Sequence, residues 1–153
     1  MRDLRHASAL GRLPPETPAA LVVETAAIGR NYKRFAGQAP KSEAGAVVKA
    51  DGYGLGADTV VAALSAAGCR TFFVATVPEA LKVRATAPEA AVYTLDGLPT
   101  GAAPLLSGSR LRPVLTSFAE AEEWASEARH RGKRLPAGLQ IDSGMHRLGM
   151  SAA

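Results

Sequence analysis

Cysteine is nearly absent: Cys69 stands alone among 153 residues. A single thiol closes no internal disulfide, so a framework stapled for an oxidising compartment is excluded and a cytoplasmic setting is expected. Placed after Ala66, Ala67 and Gly68 and just before a strand-like run, Cys69 reads as a packing residue. Aromatics are scarce as well, one Trp, three Tyr and four Phe, which leaves little material for stacking bases. The net charge of +4 comes from Arg and Lys scattered between Arg2 and Arg147. They build no continuous stripe, so a solvated basic surface is expected and a nucleic-acid partner is not. No apolar run nears the ~18 residues of a membrane span, because Gly, Pro or a charge interrupts each one. The opening MRDLRHASALGRLPPE carries arginines but lacks the apolar segment of a secretory signal. Residues 1–18 are therefore read as an N-terminal extension.

What is present is a rhythm. A short strand is expected at Ala19–Glu24, then a helix with Thr25 as N-cap and Ile28, Tyr32 and Phe35 on one face, ending near Gly37. The run Ala44–Ala50 reads as a buried strand, followed by a flexible glycine-rich loop. A helix over Ala57–Ala67 is capped by Asp58 and closed by Gly68, and Thr71–Ala75 is the next strand. The pattern repeats with a helix opening at Pro78 and Glu79, a strand at Ala91–Leu95 and a helical turn before Leu106. Strands at Arg112–Thr116 and Pro136–Ile141 flank a helix over Phe118–Arg131. These strands lack polar alternation, as in strands buried on both faces. Alternating βα units of this kind demand a parallel sheet covered by helices, which an open doubly wound sheet and a (β/α)8 barrel both satisfy. Read as a barrel, the chain holds about five of eight strands and falls well short of the ~250 residues of a whole one. Met150 to Ala153 stand where another helix is expected to begin, as in a barrel that stops partway round.

Lys49 ends the first of the barrel-type strands, at the C-terminal end where α/β barrels place catalytic groups. Taken alone it reads first as a strand-end lysine with its ammonium in water. Its context is Ala46-Val47-Val48-Lys49-Ala50-Asp51-Gly52-Tyr53-Gly54-Leu55-Gly56, with Asp142-Ser143-Gly144-Met145-His146-Arg147-Leu148-Gly149 far downstream. The pair resembles the alanine racemase signature, AVVKA-x-x-YG-x-G with D-[ST]-GM-x-RLG. The likeness extends from Leu21 onward, through Ala26-Ala27-Ile28 to Asn31-Tyr32, the FFVAT-x-x-EAL segment and the RPVLTS strand. The alternate glycines of Gly52, Gly54 and Gly56 do not have the spacing of a dinucleotide-binding turn.

The resemblance implies a fold-type-III isomerase that depends on pyridoxal 5'-phosphate and interconverts L- and D-alanine, built on a partial (β/α)8 barrel over residues 19–153. Lys49 is then the lysine that holds the cofactor as a Schiff base and works as base on one face of the substrate α-carbon. A lysine does this only as the free amine, which a partly desolvated or electropositive site favours. Tyr53 is implied to contact the cofactor phosphate, and Arg147 to donate to the cofactor's phenolic oxygen or to the substrate carboxylate region. No metal is implied, and His146 carries no weight in the motif. The second base is implied to be a tyrosine of a C-terminal β-domain on the partner subunit of a homodimer, and none of Tyr32, Tyr53 and Tyr93 corresponds to it. Two residues depart from other members: Gln140 stands where some carry a carbamylated lysine, and Leu55 where others carry histidine. A non-catalytic cofactor-binding segment, or another fold-type-III enzyme such as a broad-specificity racemase, stays open. So does the choice between supplying D-alanine for peptidoglycan precursors and consuming it.

Overall fold

The structure is a computed structural model that describes residues 13–14 and 16–151. The extension expected over residues 1–18 therefore lies mostly outside the described residues. Residues 19–24 form no strand but an irregular lead-in, with Leu21 exposed. The run is apolar enough for a strand, but a strand also needs a hydrogen-bonded neighbour, and this segment has none in the sheet.

Helix α1 (Thr25–Gln38) begins one residue earlier than the Thr25 cap implies, with Glu24 at the N-cap position and no side-chain cap bond there. Glu24 instead accepts from Arg30 Nη2 at 2.6 Å. Ile28 and Tyr32 pack against the core, while Phe35, expected on the same face, is exposed. Tyr32 Oη donates to the Ala44 carbonyl at 3.0 Å, which ties α1 to the segment entering the sheet.

The sheet holds β1 (Ala46–Val47), β2 (Thr71–Val74), β3 (Ala91–Thr94), β4 (Arg112–Leu115) and β5 (Gly138–Leu139). All pairs are parallel and the spatial order follows the chain, 1-2-3-4-5. A doubly wound sheet reverses its strand order at a switch point. Here every new strand adds to the same edge, which is the winding of a barrel.

The connections between strands are α2 (Lys49–Tyr53) with α3 (Ala57–Ala66), then α4 (Val77–Thr86), α5 (Ala103–Gly108) and α6 (Phe118–His130). Two short strands, β6 (Ile141–Asp142) and β7 (Met150–Ser151), pair beyond the sheet. A strand thus stands at Met150 where a helix was expected.

Burial corrects one sequence expectation. Strands β2, β3 and β4 alternate between half-buried and buried residues. Phe72, Val74, Val92 and Leu115 join Val61, Leu64, Val83, Leu106 and Trp124 of the helices in one core. Each such side chain contributes about 1.5–3 kcal/mol by leaving water. On the other face, Phe73 stacks on Tyr93 with ring centroids 5.1 Å apart. The Arg112 guanidinium lies 5.4 Å over the Tyr93 ring and donates to its hydroxyl at 3.0 Å. This face is apolar enough to look buried in the sequence, yet its residues are only half-buried, because among the described residues the five-stranded sheet has no further strands opposite it.

Local chemistry sets the helix ends. Gly68 follows the C-cap of α3 with φ of +107°, a left-handed position that suits glycine. Asp58 does not cap α3: Gly56 holds the N-cap position, and Asp51 Oδ1 accepts from Ala57 N–H at 2.9 Å. Asp58 is instead the acceptor of the Thr86 hydroxyl at 3.0 Å. Cys69 packs as expected, fully buried, with Sγ donating to the Thr71 carbonyl at 3.3 Å. Its burial pushes the thiol above the ordinary cysteine range.

Candidate active site

Lys49 is half-buried and opens α2 immediately after buried Val48, at the C-terminal end of β1. The segment that follows is not a loose loop. Ala50, Asp51, Gly52 and Tyr53 all have φ between +52° and +65°, so the chain makes one left-handed turn. Such a turn costs roughly 1–2 kcal/mol for each residue with a Cβ, and Ala50, Asp51 and Tyr53 are three of them. It persists because its surroundings over-determine it.

Gly52 N–H donates to Val48 O at 3.0 Å, Gly54 N–H to Ala50 O at 2.9 Å, and Gly56 N–H to Asp51 O at 2.9 Å. The Asp51 carboxylate holds the start of α3. Gly52 is also a packing requirement, since a Cβ there would come within 3.1 Å of Val60 Cγ2. Ala50 N–H donates to Glu79 Oε1 at 2.7 Å, a bond that spans twenty-nine residues of chain.

Tyr53, on the same turn as Lys49, is 62% exposed. With Tyr32, Phe35, Val47 and Leu55 it lines a groove of about 520 Å³ beside β1. Leu55, where the resemblance implies histidine in other proteins, thus contributes to an apolar wall.

Arg147 lies in the loop between β6 and β7. That loop is built on Asp142, whose Oδ1 accepts from Gly144 N–H and His146 N–H, each at 3.0 Å. Oδ2 stands 3.0 Å from Nδ1 of His146, an otherwise exposed side chain. The donors at His146 and Gly144 hold the Asp142 carboxyl below the ordinary aspartate range. Gln140 Nε2 donates to Leu148 O at 3.0 Å, and Met150 N–H donates to Gln140 O at 2.9 Å. The neutral amide thus ties down the residue next to Arg147.

A depressed carboxyl contributes its full stabilisation above the unfolded value and loses it as pH falls through the folded one. The side-chain carboxyl carbon resonance of Asp142 should therefore titrate with its midpoint at a pH below the ordinary aspartate value of about 3.9. A midpoint at or above that value would contradict the role given to Asp142.

All strands are parallel, so Lys49 after β1 and Arg147 beyond β5 lie toward the same end of the sheet. Four inter-strand steps of ~4.8 Å separate the two edges along the sheet. Among the described residues no hydrogen bond joins Arg147 to Lys49 or Tyr53. The structure therefore unites Lys49 and Tyr53 on one turn and leaves Arg147 to the far edge. Sequence reasoning missed Glu79 as a partner of this turn. The Thr76-x-x-Glu79 spacing is a capping-box signal, but nothing local says that the carboxylate also reaches Ala50. Among the described residues no three His, Cys, Asp or Glu cluster as metal ligands do, and no helix is long and apolar enough to cross a membrane.

A half-buried lysine at the mouth of a sheet wound in barrel order places the chain among lysine-bearing β/α-barrel proteins. Residues 23–153 match the family model described as alanine racemase, N-terminal domain. The chain belongs to that family. It is 52% identical over 133 residues to an alanine racemase of Methylobacterium sp. (strain 4-46), covering 87% of this chain and 36% of the relative. A catabolic alanine racemase of Agrobacterium fabrum is 46% identical over 132 residues, covering 86% and 34%. Among solved structures, the alanine racemase of Bartonella henselae with covalently bound pyridoxal phosphate superposes with a TM-score of 0.81 at 39% identity, covering 85% of this chain and 36% of that one. The chain spans about a third of the length of the relatives it matches.

Proposed function

We propose that this chain is the cofactor-holding portion of a pyridoxal 5'-phosphate-dependent alanine racemase, with residues 1–18 as an extension and 19–153 as barrel. The observation that carries the reading is the place of Lys49: half-buried, at the C-terminal end of the first strand of a sheet in barrel order, and at the head of a hydrogen-bonded left-handed turn. The residues fit the group by their chemistry. An amine, a phenol and a guanidinium are the donors that an anionic, aldehyde-bearing aromatic ring requires.

Bound there, pyridoxal 5'-phosphate supplies the electron sink that makes a substrate α-proton removable. Lys49 holds the group covalently and carries the proton at Nζ on one face of the α-carbon. Tyr53 Oη binds the phosphate, and Arg147 donates to anionic oxygen of the cofactor or substrate. The acid/base for the opposite face lies outside this chain, on the partner subunit of a homodimer. The substrate is alanine and the setting cytoplasmic, in keeping with the lone buried cysteine.

A second reading, cofactor binding without turnover, is favoured by the five-stranded sheet, whose Phe73–Tyr93–Arg112 face has no opposing strands among the described residues. The test is an absorbance scan of the chain with pyridoxal 5'-phosphate and borohydride trapping, followed by an assay for interconversion of the alanine enantiomers in an assembly that also carries the opposite-face acid/base. A borohydride-fixed band on Lys49 with racemisation supports the enzyme, and the band without racemisation supports the second reading. Trapping spread evenly over the lysines would sink both.

A further inference from the structure

The βα turns after β2 and β4 share one device. In Ala75-Thr76-Val77-Pro78-Glu79-Ala80 and Thr116-Ser117-Phe118-Ala119-Glu120-Ala121 a glutamate in the first helical turn reaches back to the N–H groups at the strand end. Glu120 accepts from Thr116 N–H at 2.7 Å and from the Thr116 hydroxyl at 2.9 Å, both within its own turn. Glu79 does more. Its Oε2 accepts from Ala75 N–H at 2.9 Å and Thr76 N–H at 3.2 Å, while Oε1 is the acceptor of Ala50 N–H at 2.7 Å.

Ala50 is the residue after Lys49 and the first of the left-handed turn. One carboxylate thus clamps the start of a strained turn to the neighbouring βα unit. A charged acceptor makes such bonds shorter and about twice as strong as neutral ones.

We propose that Glu79 is a positioning residue for Lys49: it holds the Ala50 N–H, and with it the left-handed turn, in the one arrangement that aims the lysine amine into the mouth of the sheet. The inference rests on the reading of Lys49 as the cofactor lysine. Without the clamp, Ala50 and Asp51 relax toward right-handed or extended backbone, and Lys49 leaves its half-buried place.

Glu79→Gln separates this role from helix capping. Glutamine has one carbonyl oxygen, which stays with the two donors at Ala75 and Thr76. Its NH2 then faces the Ala50 N–H and repels it. Glu120→Gln is the control, since it alters the same device in a turn that does not touch the lysine.

Two readouts are taken on the full 153-residue chain. The first is amide exchange across residues 49–56 without any cofactor. It is expected to speed up by about tenfold or more in Glu79→Gln and to stay within about twofold of wild type in Glu120→Gln. The second is borohydride-trapped labelling by pyridoxal 5'-phosphate, taken as the ratio of Lys49 to exposed Lys33. This ratio should fall by about tenfold in Glu79→Gln alone, as an amine held out of reacting geometry loses rate.

Unchanged exchange in Glu79→Gln overturns the clamp. Faster exchange with an unchanged labelling ratio reduces Glu79 to a structural residue and overturns the proposal. A wild-type chain that shows the exchange pattern but no preference for Lys49 overturns the reading of Lys49 itself, and the positioning role with it.

Discussion

Replacing Lys49 by alanine should abolish the borohydride-fixed absorbance band and, in a racemising assembly, cut the rate by about 10²–10⁴-fold or more, the range supplied by a positioned acid/base. The chain has five lysines, Lys33, Lys41, Lys49, Lys82 and Lys133. The other four are exposed and Lys49 is half-buried, so labelling governed by accessibility would favour the others. Selective loss of the band in Lys49→Ala therefore reads chemistry and not exposure. The substitution should leave stability within about 0.5 kcal/mol, because no hydrogen bond or ion pair of the fold depends on the ammonium among the described residues. A Lys49→Ala chain that keeps the band would end the proposed function.

The second large effect is expected at Gly149. Its φ is +117°, and a Cβ added there would sit 2.8 Å from Asp142 N and 3.1 Å from Gln140 O, both backbone atoms. Neither moves without parting β6 from β7. Gly149→Ala should break the Met150 N–H to Gln140 O bond and the Gln140 side-chain bond to Leu148 O. The loss is about 2–4 kcal/mol, from a strained φ together with broken hydrogen bonds. Arg147 sits two residues before Gly149 and loses its placement.

Gly54→Ala is the comparison. Its φ is +82° with nothing within 4 Å of the added Cβ, so only the conformational cost of about 1–2 kcal/mol applies. Thermal unfolding and limited proteolysis after Arg147 measure both variants. Equal destabilisation, with Arg147 no more accessible in Gly149→Ala, would remove the close-packing account of the loop.

Much of this was legible locally. The βα rhythm, the closing Gly68, the helix opening at Pro78 and Glu79 and the strand-end place of Lys49 are all set by residues within one turn or strand of each other. The motif around Lys49 and Arg147 pointed to the family before any geometry was known. The misses share a cause. Residues 19–24 have strand composition but no strand beside them, and Asp58 has cap chemistry but Asp51 takes the cap from outside the helix. The glycine-rich segment after Lys49 suggested flexibility, yet four consecutive residues lock into a left-handed turn. The cap and the turn are each decided by a hydrogen bond from outside the local window, and residues 19–24 by the want of one in the sheet.

By itself, then, the amino-acid sequence determined the alternation of elements, the lysine just beyond β1 and the want of a second cysteine for an internal disulfide, because these depend on composition and on spacings of a few residues. Only the tertiary structure decided the barrel winding, since strand order is a choice among partners with equally apolar faces. It also decided which sheet face stays open and that Glu79 reaches across twenty-nine residues to Ala50. Those outcomes depend on which distant groups the fold brings within about 3 Å, a distance that no sequence window contains.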